Sequence, residues 1–180
     1  SDDALSDMME VSSTPVILSH SGPDGVFEHA RNVPDDLLIQ LAESGGVVHV
    51  NAFGGYLEAL QPSPERTAAL DALNAEYGSN FAEMSDEEQS AYRAARIALE
   101  GEYPAPRSSF EKYMEHLLYT IDLVGVDHVG IGADWDGGGG VDGMAEVSDV
   151  PEITRGLLEA GYTPEEIEKI WSGNLLRLLG

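Results

Sequence analysis

The chain has 180 residues, of which 42% are apolar, 33 are acidic and 9 are basic, for a formal net charge of −24. That apolar share fits a folded chain rather than a disordered one, and no run of about 20 apolar residues is present to span a bilayer. So acidic a surface repels phosphate backbones and anionic lipid, which excludes nucleic acid as a partner, and the absence of cysteine leaves only His and carboxylates as metal ligands.

The charge reads either as a heavily solvated surface suited to high salt or as a set of carboxylates that capture cations. In chain order, the opening SDDALSDMMEV has the pattern of an acidic amphipathic helix, with Leu5, Met8 and Met9 on one face. That is an odd place for a natural protein to begin. The chain therefore reads as a fragment or processed piece, with any targeting signal upstream out of view.

Three short β-branched runs bounded by turn residues read as buried strands: Pro15–Ser19 (PVILS), Gly46–Asn51 (GVVHVN) and His128–Gly132 (HVGIG). Between the first two, Pro34 with Asp35 and Asp36 opens a helix over DDLLIQLAES. The stretch from about 57 to 109 breaks the rhythm. It is bounded by Pro62/Pro64 and Pro104/Pro106, and reads as two polar-faced helices, ERTAALDALNAEYG and SDEEQSAYRAARIALEGEY. This helical insert reads as an elaboration of one domain over 1–180, not as a second domain. Beyond it, Phe110, Met114, Leu117, Leu118, Ile121 and Val124 form one helical stripe, and Thr163-Pro164 with Glu166 has capping-box spacing, as does Ser85 with Glu88.

Strands alternating with amphipathic helices imply parallel βα units. About three such units do not close a barrel, and 180 residues is short for a complete (β/α)8 barrel of about 250. In parallel α/β folds, functional groups collect at the carboxyl ends of strands. That rule selects His20 after the first strand, Arg31 and Asn32 before the Pro34 helix, Asn51 with Tyr56, and Asp134 with Asp136 in GADWDGGGG.

Each also has a plainer reading. A lone His after a strand is more often a packing residue than a ligand, DWDG followed by glycines is most often a tight turn, and Arg31 could pair with Asp35. His49 and His116 read as structural, His128 as packing at the wrong end of its strand, and His29 as a surface residue. An EF-hand-type loop from Asp134 fails because Gly138 and Ala145 stand where oxygen ligands are needed. A dinucleotide fingerprint at Gly130 fails because Trp135 stands where its third glycine belongs.

Taken together, PVILSHS, RNVPDDLL, GGVVHVN, DHVGIGADWDG and WSGNLLRLL resemble the membrane (renal) dipeptidase family, covering nearly the whole chain outside the insert. The resemblance implies the C-terminal part of a TIM-like (β/α)8 barrel and a zinc-dependent hydrolase of dipeptides. It implies that His20 is a ligand of one of two zinc ions and that Asp134 is the catalytic acid handling the proton. By the same resemblance Arg31 binds the substrate carboxylate, with Asn32 and Tyr56 beside the substrate, and a zinc-bound water is the nucleophile. The family's other metal ligands (a His-x-Asp, a bridging Glu and another His) have no counterpart here and are expected upstream of Ser1, in the missing N-terminal half of the barrel. The piece alone is expected to be inactive. The family leaves compartment open between anchored, exported and intracellular forms, and allows a homodimer of the full-length protein. A member that keeps the Arg31 pocket and binds dipeptide or metal without chemistry is the alternative.

Overall fold

In the computed structural model, which describes residues 1–78 and 80–180, the apolar runs line up as one parallel sheet. Its strands are β1 (Ile17–Pro23), β2 (Asn32–Val33), β3 (Val47–Asn51) and β4 (Val129–Gly132), in the order β2-β1-β3-β4. The three expected runs are β1, β3 and β4; the two-residue β2 is the addition. β3 and β4 pair in regular register from Val48↔Val129 to Asn51↔Gly132. β1 is irregular: it advances three residues from Leu18 to Ser21 while β3 advances two from Val48 to Val50. The extra residue is a β-bulge at Ser19–His20.

Two compact units are present, one of Ser1–Ala59 with Arg107–Gly180 and one of Leu60–Pro106. In the first, α1 (Asp2–Val11) begins at Ser1, whose hydroxyl accepts the Ala4 N–H, with Asp2 and Asp3 at the positive end of the helix dipole. α2 (Asp35–Glu43) buries Leu37, Leu38 and Leu41 against Leu5 of α1 and Val48 of β3. After β3 comes the single-turn α3 (Gly54–Leu57).

The second unit holds α4 (Pro64–Tyr77) and α5 (Asp86–Glu102). α4 is capped by Ser63 with Pro64 in its first turn, and α5 by a reciprocal Ser85–Glu88 box. The Arg66 guanidinium is buried and meets both carboxylate oxygens of Glu100, at 2.9 and 2.6 Å, as well as the Tyr103 carbonyl. That bidentate contact holds the Glu100 carboxyl below the usual carboxylate range.

Back in the first unit, α6 (Phe110–Val124) buries Tyr113, Met114, Leu117 and Ile121 against Val50 and Val129. α7 (Val150–Glu159) adds Ile153 and Leu157 to the same core. α8 (Pro164–Glu168) runs through a π-turn, Lys169–Gly173, into α9 (Asn174–Leu179). Buried Asn174 anchors this end, its amide donating to the Val126 and Val129 carbonyls at 2.7 and 2.8 Å.

Val48, Val50 and Val129 thus point to the helices, while His49 and its partner Gly130 point the other way. Helices on one face of a parallel sheet is the layering of a TIM-like (β/α)8 barrel. No helix among the described residues is long and apolar enough to cross a membrane.

Candidate active site

β1 runs on to Pro23, so His20 lies inside the strand rather than after it. Neighbours in a regular strand face opposite sides of the sheet. Here the Ser19 hydroxyl is 2.8 Å from His20 Nδ1, and both residues line one open cleft of about 460 Å3. The bulge explains this, because the extra residue breaks the alternation and re-aims a side chain. Asp134 lines the same cleft, with Trp135 and, from the π-turn, Trp171, whose indole donates to Thr154 at 2.9 Å.

Asp134 is the one non-glycine residue with positive φ among the described residues, at φ 58° and ψ 40°. Asp tolerates this left-handed region better than most residues. Its carbonyl accepts the N–H groups of Gly137 and Gly139, at 3.0 and 2.8 Å. A Cβ on Gly137 would collide with the Asp134 carboxylate, and one on Gly139 with the Ala133 carbonyl oxygen. The tight-turn reading of DWDGGGG is therefore right as far as it goes, and the turn is what presents Asp134 to the cleft.

Arg31 directly precedes β2, and the pairing Gly22↔Asn32 sets it level with Ser21, one residue beyond His20. It is exposed, and none of the ion pairs among the described residues includes it; Asp35 instead accepts the Tyr119 hydroxyl. The guanidinium lies over the Tyr56 ring, 5.6 Å from its centroid. Asn32 is buried, and its amide donates to the carbonyls of Phe27 and Tyr56, each at 2.8 Å, tying the loop before β2 to α3. Asn51, also buried, accepts the Phe53 N–H at the end of β3.

The structure thus brings His20 and Asp134 together, and separately Arg31, Asn32 and Tyr56. Phe53 joins the groups: its ring is 4.6 Å from that of Tyr56, and it bridges to Gly140 in the Asp134 loop, where the Gly140 N–H donates to Ala52 at 2.9 Å. Asp136 lies beyond, in a 3₁₀ turn with Trp135.

His29 corrects the sequence reading. It is half-buried, its ring 4.8 Å from that of Tyr56, and its Nδ1 accepts the Arg31 N–H at 3.1 Å. Only its place beside Arg31-Asn32 hinted at this. Phe53 and Trp171 were likewise missed, since an isolated aromatic residue in sequence does not show what it lies against.

Burial lowers the pKa of His49, whose ring lies against Gly130. It also lowers that of His116 on α6. His116 Nε2 donates to the Leu57 carbonyl at 2.9 Å, consistent with a neutral imidazole. Both fit structural roles.

Among the described residues no three His, Asp or Glu side chains converge to hold a metal ion. With Nδ1 engaged by Ser19, Nε2 is the His20 nitrogen suited to ligation. One imidazole is not a metal site, and these residues by themselves do not fit a zinc pair.

The family model described as "Membrane dipeptidase (Peptidase family M19)" matches residues 1–180. Among curated relatives, the dipeptidase aclJ of Aspergillus oryzae is 30% identical over 174 residues, 96% of this chain and 31% of that protein. The dipeptidase tcpJ of Claviceps purpurea is 27% identical over 180 residues, 99% of this chain and 32% of that protein. This chain therefore spans about a third of the length of these relatives. The crystal structure of the probable dipeptidase PvdM from Pseudomonas aeruginosa superimposes with a TM-score of 0.73 at 31% identity, over 98% of this chain and 47% of that one. A metallopeptidase from Rhodobacter sphaeroides, liganded with a phosphinate mimic of the dipeptide L-Ala-D-Ala, shares the fold at TM-score 0.67 and 23% identity, over 97% of this chain and 38% of that one. With its whole length matched by the family model, the chain belongs to the membrane dipeptidase family, a family of metal-dependent peptidases.

Proposed function

We propose that this chain is part of a zinc-dependent dipeptidase and carries one side of its active site. The observation that carries this reading is the cleft shared by His20, at the bulge in β1, and Asp134, just beyond the carboxyl end of β4. Two zinc ions, when bound, would supply a water acidic enough to act as nucleophile near neutral pH. His20 Nε2 would be one ligand to them, alongside donors that are not among the described residues.

Asp134 would take the proton released on the water's attack and pass it to the leaving amine, from a backbone held by the glycine turn. Arg31 pairs with the free carboxylate of the dipeptide and so sets the scissile bond against the cleft. Tyr56 supports the guanidinium from below and offers a ring to the substrate. Asn32 acts on the substrate through Tyr56, whose carbonyl it holds.

The test is Asp134→Asn in the full-length, zinc-loaded protein. Asn also tolerates the left-handed backbone, so fold and zinc content stay while kcat on a dipeptide falls about 10²–10⁴-fold. Unchanged turnover removes Asp134 from the mechanism.

A second reading, a member that binds dipeptide without hydrolysing it, rests on Arg31 standing over Tyr56 apart from the cleft of His20 and Asp134. Calorimetry of the full-length protein with zinc and a dipeptide separates the two, since the second predicts heat of binding without product.

A further inference from the structure

The geometry points to His29 as the positioning residue of the substrate-carboxylate clamp, acting through Arg31 and Tyr56 without touching the substrate. This rests on the reading of Arg31 given above.

Two contacts carry it. Nδ1 of His29 accepts the Arg31 N–H at 3.1 Å, which fixes the backbone from which the guanidinium springs. The other face of the arrangement is the ring contact at 4.8 Å with Tyr56, whose own ring supports the guanidinium at 5.6 Å. One imidazole thus touches both the base of Arg31 and the platform under its charged end. An arginine held at one end only keeps most of its side-chain rotamer freedom, and that freedom must be lost when a carboxylate binds.

Most of the loop's hydrogen bonds do not involve the His29 side chain. Asp24 accepts the His29 N–H at 3.0 Å, the Asn32 N–H donates to the His29 carbonyl at 2.8 Å, and the Asn32 amide ties Phe27 to Tyr56. All of these survive substitution of the imidazole. What the side chain adds is the acceptor for Arg31, the packing against Tyr56 and a stacked contact with Phe27, ring centroids 6.2 Å apart. An ordinary surface histidine would have neither.

The experiment is steady-state kinetics of the full-length, zinc-loaded protein on L-Ala-L-Ala and on its C-terminal amide, which lacks the carboxylate. His29→Ala raises KM for L-Ala-L-Ala about five- to tenfold, the worth of one hydrogen bond and some ordering. kcat stays within about twofold and zinc content is unchanged, as for lost ground-state binding. His29→Asn, which keeps a side-chain acceptor, and His29→Phe, which keeps the ring, each give a smaller rise. On the amide, and in an Arg31→Ala background, His29→Ala has a markedly smaller effect. Equal losses on dipeptide and amide, or a fall in kcat matching the rise in KM, overturn the proposal and leave a merely structural role. If Arg31→Ala raises KM while none of the three His29 variants does, this proposal fails alone. If Arg31→Ala leaves KM unchanged, the carboxylate reading fails and this one with it.

Discussion

His116 and His29 show how differently two histidines of one chain are placed. His116 is fully buried on α6, and its proton on Nε2 is committed to the Leu57 carbonyl. Burial lowers its pKa in the folded state, so the unfolded chain binds the proton more tightly. The sign follows: its contribution to stability is whole above the ordinary imidazole value near 6.5 and is lost as pH falls below that value toward the lowered one. Thermal unfolding of the full-length protein against pH therefore shows a decline on the acid side of neutrality. His116→Gln, whose amide can still donate to Leu57, flattens that decline; an unaltered profile would assign it to other groups. Neither environment can be read from the letter His. Periodicity marks 116 as a position within a helical stretch, but nothing in the order of residues around 29 shows that Tyr56, four elements later, comes to lie against it.

At the scale of elements, the two devices that build the site are irregularities. The bulge in β1 lets Ser19 and His20 line one cleft, and the left-handed Asp134 with its glycines turns the chain sharply after β4. A run such as DWDGGGG is legible as a turn, yet which glycine is indispensable depends on what each Cβ would meet. Gly139 is packed against the Ala133 backbone, whereas Gly101 in α5 faces open space. Gly139→Ala should cost about 1–3 kcal/mol and reduce turnover, because the loop must move and Asp134 with it. Gly101→Ala should instead stabilise α5 by roughly 0.5–1 kcal/mol, with no effect on activity. Denaturant unfolding together with dipeptide turnover checks both; an equal response at the two sites would mean the close contact at Gly139 is relieved without cost. The bulge has no comparable sequence signal, since it is a property of how β1 pairs with β3 and not of β1 alone.

For the whole molecule, 33 acids against 9 bases make self-repulsion the long-range electrostatic theme. Screening should relieve it: thermal stability rises as salt is increased from roughly 0.01 to 1 M, over which the Debye length falls from about 30 to about 3 Å. A melting temperature that falls with salt would show that local pairs such as Arg66–Glu100 outweigh the net charge. By itself the sequence determined the parallel α/β class, the three main strands, the helix starts at Pro34, Ser85 and Thr163, and the family. Those depend on local patterning, capping chemistry and motif spacing, all of which lie along the chain. Only the tertiary structure decided that His20 and Asp134 share a cleft, that Asn32 is buried as a tie, and that His29, Tyr56 and Arg31 form one group. These depend on strand register and on contacts between residues far apart in sequence, which pairing and packing fix in space.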